Sequence, residues 1–132
     1  MTRTVLQVLF WVALVVWFVL LVRPTTTFQP VSDELASWSD VLPFLVSKGL
    51  HLAAYAGLAV AAVVLFRGWR WGVVCVVAAH AIVGEVGQYL GNEWYATGRV
   101  GSVKDVLIDW TGMVIGCGVW WVGRKVVAKR AA

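Results

Sequence analysis

Charge is scarce in this sequence. Only 14% of its 132 residues are Asp, Glu, Lys or Arg, while 61% are hydrophobic. A soluble domain of this length could not cover so much apolar surface, so lipid is the natural solvent. Cysteine is sparse too. Cys75 and Cys117 both lie inside apolar runs, which excludes a disulfide framework and leaves them as small buried apolar side chains. No internal repeat of about 20–50 residues is visible. No His-x-His or HExxH spacing occurs. A metal centre built from His51, Glu85 and Asp109 therefore lacks sequence support, and no metal or other cofactor is expected. The net charge of +4 and pI near 9.4 do not indicate nucleic acid, because the basic residues form short clusters beside apolar stretches.

Four apolar stretches are long enough to cross a bilayer core, which takes about 20 residues. They run over about 5–22, 48–66, 71–90 and 105–123. The first is too long for a signal peptide and no small-x-small cleavage site follows it, so it reads as a retained helix. The chain is therefore expected to be all-α, a single polytopic domain forming a four-helix membrane bundle.

Acid is absent from one side of that bundle. Arg3, Arg67, Arg70, Arg124, Lys125, Lys129 and Arg130 fall on a single side. All seven carboxylates, Asp33, Glu34, Asp40, Glu85, Glu93, Asp105 and Asp109, fall on the other side or in the helix ends there. The positive-inside rule places the basic side, and with it both termini, in the cytoplasm. The aromatic residues agree: Trp69, Trp71, Trp120 and Trp121 mark the inner interface, and Trp38, Trp94 and Trp110 the outer. The connection 67–70 is tight enough to make its helices antiparallel neighbours. The segment 34–46, in the long connection 23–47 with Pro24, Pro30 and Pro43, reads either as a short helix lying on the outer surface or as an irregular solvated loop.

The ionisable residues inside the spans converge at one end. Steps of three and four put Lys48, His51 and Tyr55 on one face of the second helix. Glu85 and Gln88 share a face near the end of the third, and Asp105 with Asp109 a face at the start of the fourth. With a rise of about 1.5 Å per residue, each group lies within roughly 10 Å of its helix's outer end. Arg99 and Ser102, in the glycine-rich connection, lie above them. Charged residues in a span are costly and by default mark function. Lys48 and Arg99 suit an anionic ligand, while His51 and Glu85 are candidate acid and base. The competing reading is a polar network that only pins the helices together. His80, midway along the third helix, is either a packing residue or a relay beneath the cluster. Gly112 with Gly116, and Gly84, Gly87 and Gly91, read as packing surfaces; homodimerisation through Gly112 and Gly116 is the alternative use.

Taken together these residues resemble the VanZ-like family of bacterial membrane proteins. The pattern is Lys48-x-x-His51-x-x-x-Tyr55, then Glu85-x-x-Gln88, then Gly98-Arg99 with Asp105 six residues on, then Gly112 and Gly116; it covers about 48–116. The family usually has asparagine where this chain has Asp109. The resemblance implies a small helical bundle in the bacterial cytoplasmic membrane and, through the family's namesake, a link to teicoplanin resistance. It implies no known reaction.

Three functions remain open. The first is an outward-facing site that acts on or binds an anionic envelope molecule, such as a lipid-linked phosphate or a peptidoglycan precursor. In it Tyr55, Gln88, Ser102, Asp105 and Asp109 would orient groups around Lys48, His51, Glu85 and Arg99. Hydrolysis there would go through a bound water, since no nucleophile motif is present. The second is a non-catalytic module binding membrane lipid or a partner. The third is a small transporter.

Overall fold

The computed structural model describes residues 2–23, 38–95 and 101–130, with the side chains among them outside 38–44. Four helices make up this part: α1 (Arg3–Val22), α2 (Trp38–Leu65), α3 (Arg70–Tyr95) and α4 (Val103–Arg130). Among the described residues there is no strand. Each helix contains a stretch long and apolar enough to cross a membrane; in α2 it is Leu45–Leu65. Helix is the one open-chain structure that satisfies every backbone group internally in hydrocarbon, which is why these apolar runs adopt it. The chain is an all-α, multi-pass membrane protein.

Its polarity is inverted relative to a soluble domain. Large apolar side chains point outwards, Val114 being 72% exposed, while His51, Glu85, Gln88, Asp105 and Asp109 are buried between helices. The apolar core is built from small residues: Ala59 and Ala62 of α2 meet Val73, Val77 and Ala81 of α3, with Phe10 and Leu14 of α1 and Met113 of α4 around them.

Sequence neighbours are antiparallel. Arg3 and Gln7 reach Leu65, Tyr55 reaches His80, and Trp110 reaches Ala78. Helices α2 and α4 are consequently parallel, and their contact is the most extensive in the bundle. Glycine permits it. A Cβ on Gly112 would lie 2.3 Å from the Leu52 carbonyl oxygen, and one on Gly116 2.3 Å from that of Ala56. The pair is thus engaged inside the chain, and a homodimer through it would have to displace α2. Gly84 and Gly87 leave room instead for side chains of α1, those of Leu21 and Val22.

Three helices run past the limits read from hydropathy. Helix α2 starts at Trp38, not near Lys48, so the described part of the 34–46 segment is a continuation of α2 and neither a separate surface helix nor an irregular loop. Pro43 lies in its first two turns, where it forfeits a single ladder bond. Helix α3 continues to Tyr95 and α4 to Arg130, because polar residues extend a helix beyond the lipid without a hydropathy signal. Cys75 is exposed on the bundle surface and Cys117 partly so, which corrects their placement in the interior; both are free thiols. In lipid an outward-facing cysteine costs nothing, so an apolar run does not say which of its faces is inside.

Arg3, Arg70 and Arg124 lie at one end of the bundle. The guanidinium of Arg3 donates through Nε and Nη2 to the carbonyl of Leu65 at 2.8 and 2.7 Å, and Gln7 Nε2 adds a third bond at 2.9 Å. Leu65 closes α2, so these donors meet the negative end of its dipole. Arg70 and Arg124 flank the ring of Trp120, 5.4 and 5.8 Å from its centroid.

Candidate functional site

The opposite end holds the polar residues, and the parallel run of α2 beside α4 is what pairs them. Lys48 Nζ donates to Asp105 Oδ1 at 2.5 Å, and one turn deeper His51 Nδ1 lies 3.0 Å from Asp109 Oδ1. The sequence offsets, 57 and 58 residues, are nearly equal, as two parallel rows one turn apart require. The close approach at Gly112 and Gly116 keeps those rows in register.

Glu85 enters from α3, which runs the other way. The chain leading into α4 passes directly over it: a Cβ on Gly101 would lie 2.2 Å from the Glu85 carbonyl oxygen. That approach lets the Ser102 backbone N–H donate to Glu85 Oε2 at 2.7 Å. Gln88 Nε2 donates to the other oxygen, Oε1, at 3.5 Å. The hydroxyl of Ser102 does something else. It accepts the Lys104 N–H at 3.2 Å while its carbonyl accepts from Asp105 and Val106, so Ser102 caps α4.

His51, Glu85 and Asp109 are all buried, and one potential ligand atom from each lies within 4.8 Å of the others. This is the set among the described residues that could hold a cation. Asp109 Oδ2 is buried with no hydrogen-bond partner. Among the described residues, the charge of Asp105 is matched by Lys48, while the Glu85 and Asp109 carboxylates face His51.

Tyr55 continues the row below His51 and meets a partner on α3. Its hydroxyl lies 2.9 Å from His80 Nδ1, and His80 Nε2 lies 3.1 Å from the Leu14 carbonyl. A carbonyl only accepts, so Nε2 carries the proton and, in the neutral ring, the Tyr55 hydroxyl donates to Nδ1. His80 is therefore satisfied on both sides and ties α1, α2 and α3 together beneath the cluster.

The two extended helices change the depth of the site. Glu85 lies ten residues before the end of α3 and Lys48 ten after the start of α2, about 15 Å from each end and not within 10 Å. Asp105 and Asp109 do lie in the first two turns of α4. Common depth comes from how the helices pair, with α2 and α3 projecting above the cluster. Arg99 and Gly98 lie outside the described residues.

Hydropathy alone does not bring α1 into this site, yet α1 forms one wall. A groove of about 380 Å³ between α1 and α2 is lined by Trp17, Leu20, Leu21, Arg23, Ser47 and His51, among others. The rings of Trp17 and His51 meet edge to face with centroids 5.9 Å apart, and Trp17 Nε1 is buried without a partner. In the sequence Trp17 reads as one more apolar residue and Arg23 as the stop after a span. The signal was that Arg23, like Lys48, is a cation on the acidic side.

A family model described as VanZ/LLP1 matches residues 8–124, which covers α2 and α3, most of α1 and α4, and every site residue named above. No curated protein and no solved structure matches the chain at a significant level.

Proposed function

Since the chain belongs to the VanZ/LLP1 family, and a groove between α1 and α2 reaches its polar cluster at His51, we propose that it binds an amphiphile with an anionic head, such as a lipid-linked phosphate of the cell envelope. The observation that carries this reading is the composition of the groove between α1 and α2. Leu20, Leu21, Val46 and Leu50 line it for an acyl or prenyl chain, and Arg23, Ser47 and His51 supply a cation, a hydroxyl and an imidazole for the head. Lys48, one turn from His51, adds positive charge next to Asp105. Arg99 would add a second guanidinium, as the family resemblance implies.

His51 and Glu85 are the candidate acid and base if the bound head is hydrolysed by water. A binding role without chemistry has its own support: His51 already meets Asp109, and Glu85 already accepts from Ser102 and Gln88. Full retention of ligand by His51→Gln with loss of effect would mark chemistry; joint loss would mark binding. Changed tolerance of glycopeptides would be a downstream consequence of either role. The membrane is taken to be the bacterial cytoplasmic membrane, with the basic end and both termini inside. Alkaline phosphatase fused to either terminus is then expected to be inactive, and an active fusion would reverse the orientation.

The direct test is native mass spectrometry of protein purified gently from envelope membranes. Wild type is expected to retain a phosphorylated lipid, Arg23→Gln to lose it, and Arg124→Gln, at the other end, to keep it. If wild type carries no such lipid, or Arg23→Gln retains it equally, the reading fails.

A further inference from the structure

We propose that His51, Glu85 and Asp109 form a three-ligand site for one divalent first-row cation of the Zn²⁺ or Mn²⁺ type. The spacing in sequence carries no metal signature, because the three ligands come from three different helices. Only their packing brings them together.

Geometry is the first support. Bonds of about 2.0–2.2 Å from one ion to a nitrogen and an oxygen, at octahedral to tetrahedral angles, put those two atoms roughly 3.0–3.4 Å apart. His51 Nδ1 and Asp109 Oδ1 are 3.0 Å apart. The third ligand, Glu85, has three side-chain torsions, and its donor atom is already within 4.8 Å of both others.

The second support is independent of spacing. Asp109 is 0% exposed, and its Oδ2 has no hydrogen-bond partner. A buried carboxylate oxygen without a donor is costly, and native structures rarely leave one so. This oxygen belongs to the same carboxylate that faces His51. A cation among the three ligands would satisfy it.

Charge is the third support. Lys48 and Asp105 offset one another. Among the described residues, Glu85 and Asp109 then bring two carboxyl groups to a buried volume that they share with one imidazole. A divalent ion balances both carboxylates and lets His51 coordinate as a neutral ring. Glu85 is already held for the purpose, since Ser102 N–H and Gln88 Nε2 bond to its two oxygens and orient the group, as outer-shell partners of metal ligands do.

The donor set selects the ion. One imidazole nitrogen with two carboxylates suits zinc, manganese or iron, whereas Ca²⁺ takes six to eight oxygens and this set offers a nitrogen and too few ligands. Three protein ligands leave positions open. Because the groove beside α1 ends on His51, a phosphate oxygen of the amphiphile proposed above would be able to occupy one. That last clause rests on the proposed function; the cation site itself does not.

The test uses the full chain, free of any affinity tag, in detergent or nanodiscs without phospholipid phosphate from the envelope. Protein stripped with chelator is dialysed against ZnSO₄ or MnCl₂, and bound metal is measured by elemental mass spectrometry. Wild type is expected to take up one ion per chain. Asp109→Asn, nearly isosteric, and His51→Ala are expected to bind at least ~10-fold more weakly, while Glu93→Gln, an exposed carboxylate of α3 outside the cluster, keeps wild-type stoichiometry. Helicity and gel filtration report whether each variant is folded. Should a variant fail to fold, the Mn²⁺-loaded wild type decides by pulsed electron paramagnetic resonance: the spectrum must show the nitrogen coupling of one coordinated imidazole. Substoichiometric uptake by wild type, unaltered affinity in both folded variants, or no nitrogen coupling overturns the site. None of these readouts depends on a lipid, so failure here leaves the lipid-retention result standing, and the reverse holds too.

Discussion

The two ends of the bundle handle their charges in opposite ways. At the basic end the guanidiniums of Arg3 and Arg70 cap nearby carbonyls from exposed positions, and Arg70 and Arg124 lie over the ring of Trp120. No carboxylate is needed there, because helix C-termini, aromatic faces and interfacial water stabilise a positive charge. At the acidic end His51, Glu85, Asp105 and Asp109 are buried, and Lys48 and His51 of α2 meet Asp105 and Asp109 of α4. Interfacial arginines of the first kind determine which way a chain inserts. Buried groups of the second kind cost stability, and their retention is the mark of a site. The comparison supports the proposal that one end sets orientation and the other holds a ligand.

The hardest way to break the contrast is to part α2 from α4. Gly116→Val is expected to be the most disruptive single change, because its side chain would overlap the Ala56 carbonyl, a backbone atom that cannot turn aside. The cost should be about 3 kcal/mol, read as a fall in thermal unfolding temperature in detergent. Gly118→Val, with nothing within 4 Å, should change little. Equal unfolding temperatures for the two variants would mean that the parallel pair is not what holds the acidic end in register.

A smaller effect should sharpen the account of buried charge. Lys48→Met leaves the Asp105 carboxylate without its ion-pair partner and should cost about 2 kcal/mol. Asp105→Leu should cost a similar amount, and the double variant clearly less than the sum of the two. A double-mutant cycle measures the coupling directly. Additive losses would show that the two groups do not stabilise each other.

Least of all should happen at the basic end. Arg3→Gln removes two hydrogen bonds to the Leu65 carbonyl, but Gln7 still donates to it and the site is exposed. A change within roughly 0.5 kcal/mol is expected. A loss as large as that of Lys48→Met would erase the distinction between the two ends.

Legibility followed the same division. The helical steps of Lys48, His51 and Tyr55, and of Asp105 and Asp109, are local properties of single helices, and each set does share a face. The positions of the helix ends were less legible, since the polar turns of α2 and α3 beyond the lipid have no hydropathy signal. Ser102 was legible as a site residue, but its work is done by the backbone N–H and by a helix cap, which a side-chain inventory does not suggest. Trp17 and Arg23 were hidden because α1 looks like a plain apolar anchor, and whether it forms a wall depends on how it turns against α2.

Membrane residence, the four spans, and the separation of basic from acidic ends were determined by the sequence itself, because hydropathy and charge add up along each segment regardless of its neighbours. The meeting of His51, Glu85 and Asp109 within 4.8 Å was decided only by the tertiary structure. It depends on the rotation and axial register of three helices at once. Those are set by the Gly112 and Gly116 contact with α2 and by the passage of Gly101 over Glu85, contacts between residues far apart in the chain.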